Sequence, residues 1–114
     1  MAIVSKNNAE QYKWGNGCDG WHLAASANLS VIEERVPSGA YEVKHHHIKA
    51  EQFFYVLSGK AYIEINGTAY SIGPREGIHI PAGAIHQLVN KADEALEFIV
   101  ISTPPSHGDR VNAI

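Results

Sequence analysis

"HHHIKAEQFFYVLSG" (residues 45–59) sets three consecutive histidines directly ahead of an alternating apolar run. Successive strand side chains point to opposite faces, so His45 and His47 share one face and His46 takes the other. Carried backward, the same alternation puts Tyr41 and Val43 inward with His45, and Glu42 and Lys44 outward. Carried forward, it aims Gln52, Phe54 and Val56 inward and leaves Phe53, Tyr55 and Leu57 on the outer face. Two imidazoles and an amide oxygen then converge. His86, which opens "HQLVN" after the turn "PAG", can join them, and three imidazoles with one oxygen suit a first-row divalent metal.

The rest of the chain has the same short-strand character. Candidate strands are "LSVIEERV" (29–36), "YEVKHHH" (41–47), "QFFYVLSG" (52–59), "KAYIEIN" (60–66), "TAYSIG" (68–73), "GIHIP" (77–81), "HQLVN" (86–90) and "LEFIVIS" (96–102). "PSG", "NG", "GP" and "PAG" punctuate them with the residues that tight turns require. Asn66-Gly67 is the strongest hairpin signal, because a type I′ turn needs positive φ at both central positions. No helical period runs to useful length, and the pattern predicts an all-β sandwich or barrel.

Composition narrows the function. The chain has 114 residues, 45% of them hydrophobic, enough for one compact domain: an N-terminal arm with a first strand over 1–28, a barrel over 29–102 and a tail over 103–114. A net charge of -3 leaves no basic stripe for nucleic acid. No apolar run is long enough for a membrane span, and the opening residues lack the pattern of a signal peptide, so the expectation is a soluble cytoplasmic protein. The single Cys18 agrees with a reducing compartment and reads as a small buried hydrophobe.

Both halves of the metal-site pattern resemble the cupin signature. Gly39, His45, His47, position 52 and Gly59 match its first half, and Pro81, Gly83, His86 and Asn90 match its second. The resemblance implies a double-stranded β-helix jelly roll of the RmlC-like type, usually a homodimer, with one divalent metal (Zn, Fe, Mn or Ni) on His45, His47, Gln52 and His86. The chain departs from the pattern twice. Gln52 replaces the usual glutamate, and Arg75 stands where the second half begins with glycine. Glu51 is adjacent, but using it would turn the following strand inside out, which favours Gln52 as the ligand. With neutral ligands only, the site keeps one more positive unit than with glutamate; at ~4 Å and an effective dielectric of ~20 that unit is worth about 4 kcal/mol to an anion.

Around such a metal, Glu33, Glu34, Arg35 and Tyr41 are the catalytic candidates. Only one of the two glutamates can face inward. Ile32 and Val36 argue for the face of Glu34, which makes it as plausible as Glu33, and a buried carboxylate at either position would serve as a general base. Arg35 and Arg110 could each grip an anion through the guanidinium fork, and Asp109 is a further tail candidate. His46 reads as a surface residue, His79 as a satisfied one, and Phe53, Tyr55 and Leu57 as a dimer surface. The expected function is Lewis-acid chemistry (isomerase, lyase or ring opening) on a small anionic, sugar-acid-like substrate. The alternatives are an Fe(II) dioxygenase and a non-catalytic sensor or ligand-binding module.

Overall fold

The computed structural model describes residues 3–113. They form eleven strands: β1 (Glu10–Trp14), β2 (Cys18–Ala25), β3 (Ser30–Val36), β4 (His45–His47), β5 (Glu51–Ser58), β6 (Ala61–Ile65), β7 (Thr68–Ile72), β8 (Gly77–Ile80), β9 (His86–Val89), β10 (Leu96–Thr103) and β11 (Arg110–Asn112). A six-stranded sheet runs β1-β2-β3-β10-β5-β8 and a five-stranded sheet runs β11-β4-β9-β6-β7. Every named pairing among the described residues is antiparallel. The two sheets face each other as a jelly roll, and no described helix is long and apolar enough to cross a membrane.

Period-two patterning places the core between the sheets. In β10, Leu96, Phe98, Val100 and Ser102 are buried while Glu97, Ile99 and Ile101 alternate outward. Phe54 of β5 stacks on Phe98 with ring centroids 5.4 Å apart, and Val56, Ala61, Ile63, Ile80 and Leu88 complete the apolar layer. Burying such side chains contributes roughly 1.5–3 kcal/mol each, and that burial holds the sheets together.

The turns carry the chemistry their residues allow. Asn66 and Gly67 have φ of 48° and 85°, as the type I′ reading requires. Arg75 takes φ of 66° at the position where glycine is usual, and its N–H donates to Val56 O at 2.8 Å. Asn90 is fully buried: its amide donates to Val36 O and Glu94 O, and its Oδ1 accepts from Ala92 N–H. It is a structural pin joining β3 to the β9–β10 connection.

Within the N-terminal arm, β1 and β2 form a hairpin that extends the six-stranded sheet. Within the tail, β11 pairs with β4. The expectation for residues 41–47 needs correction. The strand expected over 41–47 narrows to His45–His47, with Tyr41 in an isolated bridge to Val89. Over residues 42–44 the strict alternation fails, so Tyr41 and Val43 are exposed and Glu42 turns inward.

Candidate metal centre

His45 and His47 lie on the inner face of β4, and His86, the first residue of β9, pairs directly with His45. The "PAG" turn delivers it: Gly83 N–H donates to His47 O at 2.7 Å, which fixes β9 beside β4. The ring centroids are 4.3 Å apart for His45 and His86, 4.9 Å for His45 and His47, and 5.7 Å for His47 and His86. One ring nitrogen from each lies within 4.8 Å of the others, all three residues being buried. These three histidines could hold a metal ion.

Hydrogen bonds set two of the tautomers. His45 Nδ1 meets Val43 O at 2.6 Å and His86 Nδ1 meets Ala84 O at 3.0 Å. A carbonyl only accepts, so both Nδ1 atoms carry the proton and each Nε2 keeps its lone pair. His86 Nε2, His47 Nδ1 and Gln52 Oε1 are buried without a hydrogen-bond partner among the described residues. Buried polar atoms normally find partners. Gln52 is 6% exposed and its Nε2–H donates to Ser102 Oγ at 3.0 Å, which leaves Oε1 without a partner in a side chain that lines the same cavity as His45 and His47. Neutral nitrogen and amide oxygen donors gathered in this way fit a divalent transition metal. Glu51, one residue before, faces out beside His79, with 3.6 Å between the two side chains.

The imidazoles are held neutral, as metal ligands must be. Burial, the largest cause, pushes His45 down to about 3 and also lowers His47 and His86. His45 is partly restored by its bond to Val43, and His47 and His86 are lowered further by neighbouring positive charge.

A cavity of about 240 Å³ opens onto this cluster. Trp14, Ile32, Phe54 and Val100 give it apolar walls, and Glu34, Glu42 and Arg110 are its charged residues. Glu34 projects from β3, and its Oε2 accepts the Tyr12 hydroxyl at 2.9 Å. Burial raises Glu34 to about 7, against the pull of the Tyr12 bond. Both glutamates keep some accessible surface, but that surface is cavity wall, so they lack the solvation of a true surface carboxylate. Burial and the Glu34 charge raise Glu42 to about 8, with Arg110 opposing.

The other sequence candidates lie elsewhere. Glu33 is on the outer face of β3, paired with Lys6 at 3.3 Å. Arg35 shares that face, opposite Asp19 and Glu97 in the sheet register, and does not line the cavity. Tyr41 is 57% exposed and also outside it. The cause for Glu33 and Arg35 is strand alternation, which sends residues 33 and 35 away from 34; for Tyr41 it is the irregular backbone before β4. Arg110 lines the cavity from β11, while the Asp109 carboxylate accepts the N–H groups of Lys49 and Ala50 at 2.9 and 2.8 Å and serves the loop before β5. The sequence reading did not anticipate Tyr12, Trp14, Glu42 or His107 as cavity residues. Gly20 was the available signal for Tyr12, since glycine inside a strand marks a close approach.

The cupin domain family model matches residues 32–102, and the chain belongs to that family. An uncharacterized protein of Methanocaldococcus jannaschii is 28% identical over 81 residues, covering 70% of this chain and 65% of its own length. A mannose-1-phosphate guanylyltransferase of Klebsiella pneumoniae is 30% identical over 111 residues, covering 90% of this chain but 23% of its own. This chain thus spans less than two thirds of either relative. Among solved structures, the polyketide cyclase RemF from Streptomyces resistomycificus superposes with a TM-score of 0.84 at 21% identity, over 100% of this chain and 86% of that one. That likeness is one of fold.

Proposed function

We propose that this cupin is a metal-dependent enzyme that moves a proton within a small, anionic, sugar-acid-like substrate, in an isomerase, lyase or ring-opening reaction. The observation that carries the reading is that Glu34 lines the same cavity as His45, His47 and Gln52, with His86 clustered against the two histidines and the Gln52 Oε1 left without a partner. One divalent ion of the zinc, iron, manganese or nickel type would be held by His45, His47, Gln52 and His86, and when bound it supplies Lewis-acid polarisation of a substrate carbonyl or carboxylate.

The chain's own groups supply the rest. Glu34 is poised near neutrality, which suits a group that must both take and return a proton. The Tyr12 hydroxyl fixes which Glu34 oxygen faces the reacting carbon. Arg110 at the mouth offers a cation to a carboxylate or phosphate. Trp14, Phe54, Ile32 and Val100 exclude water from the reacting carbon. The mannose phosphate named for the Klebsiella relative agrees with an anionic sugar as the class of guest.

The outer face of β5 exposes Phe53 and Leu57, which supports a homodimer, and a cytoplasmic setting goes with the same reading. Elemental analysis of the untagged protein, followed by oxygen-uptake and proton-exchange assays on the metal form obtained, tests the function. Bound zinc, nickel or manganese without oxygen uptake supports it. Bound iron with substrate-dependent oxygen uptake points to the dioxygenase, and no metal in the protein points to the binding module.

A further inference from the structure

We propose that Glu42 is a second acid–base residue of this site, set across the cavity from Glu34, so that one carboxyl takes a proton from the substrate while the other returns one. The inference rests on the proton-transfer reading above and extends it from one carboxyl to two.

The two residues reach the cavity from different sheets. Glu34 belongs to β3 of the six-stranded sheet, whereas Glu42 is fastened to β9 of the five-stranded sheet. Glu42 N–H donates to Leu88 O at 3.0 Å, and Leu88 N–H donates back to Glu42 Oε1 at 3.1 Å. Gln87 Nε2–H adds a third bond, to Glu42 O at 3.1 Å. The backbone is thereby clamped where the strand pattern has lapsed, and the side chain is aimed inward.

Each carboxyl has one oxygen held and one oxygen free. Glu34 Oε2 is held by Tyr12, Glu42 Oε1 by Leu88, and the remaining oxygens take no protein hydrogen bond among the described residues. Neither forms an ion pair with a described residue. A carboxyl that only braced a loop would gain more from a neutral amide, which accepts the same N–H without a buried charge. The acid form is therefore what distinguishes glutamate here. Burial, the largest cause, and the proximity of Glu34 both favour that form, Arg110 and the Leu88 bond oppose it, and the pair titrates as a coupled unit.

The step balances without a co-reactant. Ionised Glu34 takes the proton from the carbon beside the carbonyl, the C–H pair moves onto the carbonyl oxygen as an enolate, and protonated Glu42 delivers its proton to the opposite face of that carbon as the pair returns and the carbonyl re-forms. Glu34 ends protonated and Glu42 ionised, and exchange with water at the cavity mouth restores the start. Two opposed carboxyls make a proton shift between separate positions or faces accessible, which a single base reaches only by moving.

Glu42→Gln is the informative variant, because its amide oxygen still accepts from Leu88 N–H while no acid proton remains. In metal-free protein labelled with ¹³C at the glutamate carboxyls, NMR titration of wild type shows two late, coupled steps, and Glu42→Gln leaves one, that of Glu34. A Glu42 that ionises in the ordinary carboxylate range overturns the inference. The protein as isolated is then incubated in D₂O with dihydroxyacetone phosphate, galacturonate and pyruvate. Wild type exchanges carbon-bound hydrogen on at least one, and Glu42→Gln loses tenfold or more in kcat with KM unchanged. Equal rates overturn the role of Glu42 and leave the reading of Glu34 standing. A wild type that exchanges with none overturns that reading and this inference with it.

Discussion

The Tyr12 hydroxyl reaches Glu34 Oε2 directly over Gly20: Tyr12 faces Gly20 in the β1–β2 register, and Gly20 faces Glu34 in the β2–β3 register. A Cβ at residue 20 would lie 2.2 Å from the Tyr12 ring. The missing side chain on the middle strand is what lets the phenol cross two strands. Gly20→Ala must displace a packed ring, and it is expected to destabilise by about 1–3 kcal/mol. Tyr12→Phe keeps the packing and loses one bond to a carboxyl, about 1–2 kcal/mol. Both variants remove a bond that favours ionised Glu34, so the Glu34 titration moves upward. Urea denaturation and carboxyl NMR check the two parts; a Gly20→Ala protein with unchanged stability contradicts the crossing.

Gln52 offers a test of the ligand set through charge. The Gln52→Glu substitution would add one negative unit beside a divalent ion, so metal affinity is expected to rise tenfold or more at neutral pH. The same unit repels an anionic guest, and binding of a substrate-like anion such as galacturonate is expected to weaken in the metal-loaded variant. Competition with a calibrated chelator and calorimetry of the anion measure the two effects. Unchanged metal affinity would place Gln52 outside the ligand set.

The histidines were legible because their information is local: an HxH spacing on one strand, a turn with fixed chemistry and a histidine opening the next strand. Strand alternation allowed only one of Glu33 and Glu34 to face inward without choosing between them, and the structure puts Glu34 on the cavity wall with Ile32. The alternation failed at Glu42. Glu42 and His45 share the cavity although an odd number of steps separates them, because residues 42–44 leave the strand and the side chain of Glu42 takes the place of a ladder acceptor for Leu88. That exchange depends on a partner in β9, far away in sequence. His107 was hidden for a similar reason, since only the pairing of β11 with β4 brings the tail over the cavity, where Arg110, a candidate from the sequence, also lies.

Metal loading is expected to release protons from carboxyls and not from imidazoles. His45, His47 and His86 are already neutral near pH 7, their titrations being lowered by burial. Glu34 and Glu42, raised to about 7 and about 8, still hold protons there, and a nearby cation favours their ionised forms. Calorimetric zinc titrations at pH 7.5 in buffers of different ionisation enthalpy should therefore report net proton release, of about one proton per site by linkage. Glu34→Gln with Glu42→Gln should abolish it. Release that survives in the double variant would assign the protons to the ligands themselves.

The metal-free protein is expected to be least stable toward the two ends of the pH range, for opposite reasons. Folding raises Glu34 and Glu42 from 4.5 to about 7 and about 8, so between those values the folded state binds more protons than the unfolded one and stability falls as pH rises. Folding lowers the three imidazoles from 6.5, so below that value the unfolded state binds more protons and stability falls as pH falls. From pH 4.5 to 6.5 the two effects oppose; from 6.5 to 8 only the carboxyls act. Glu34→Gln should therefore stabilise the metal-free protein at pH 8 by about 1–3 kcal/mol and change little at pH 5. Urea midpoints for wild type and variant at the two pH values measure the difference. An equal effect at both would mean that Glu34 is already ionised in the folded protein at pH 5, which removes the burial argument for its role as a proton carrier near neutrality.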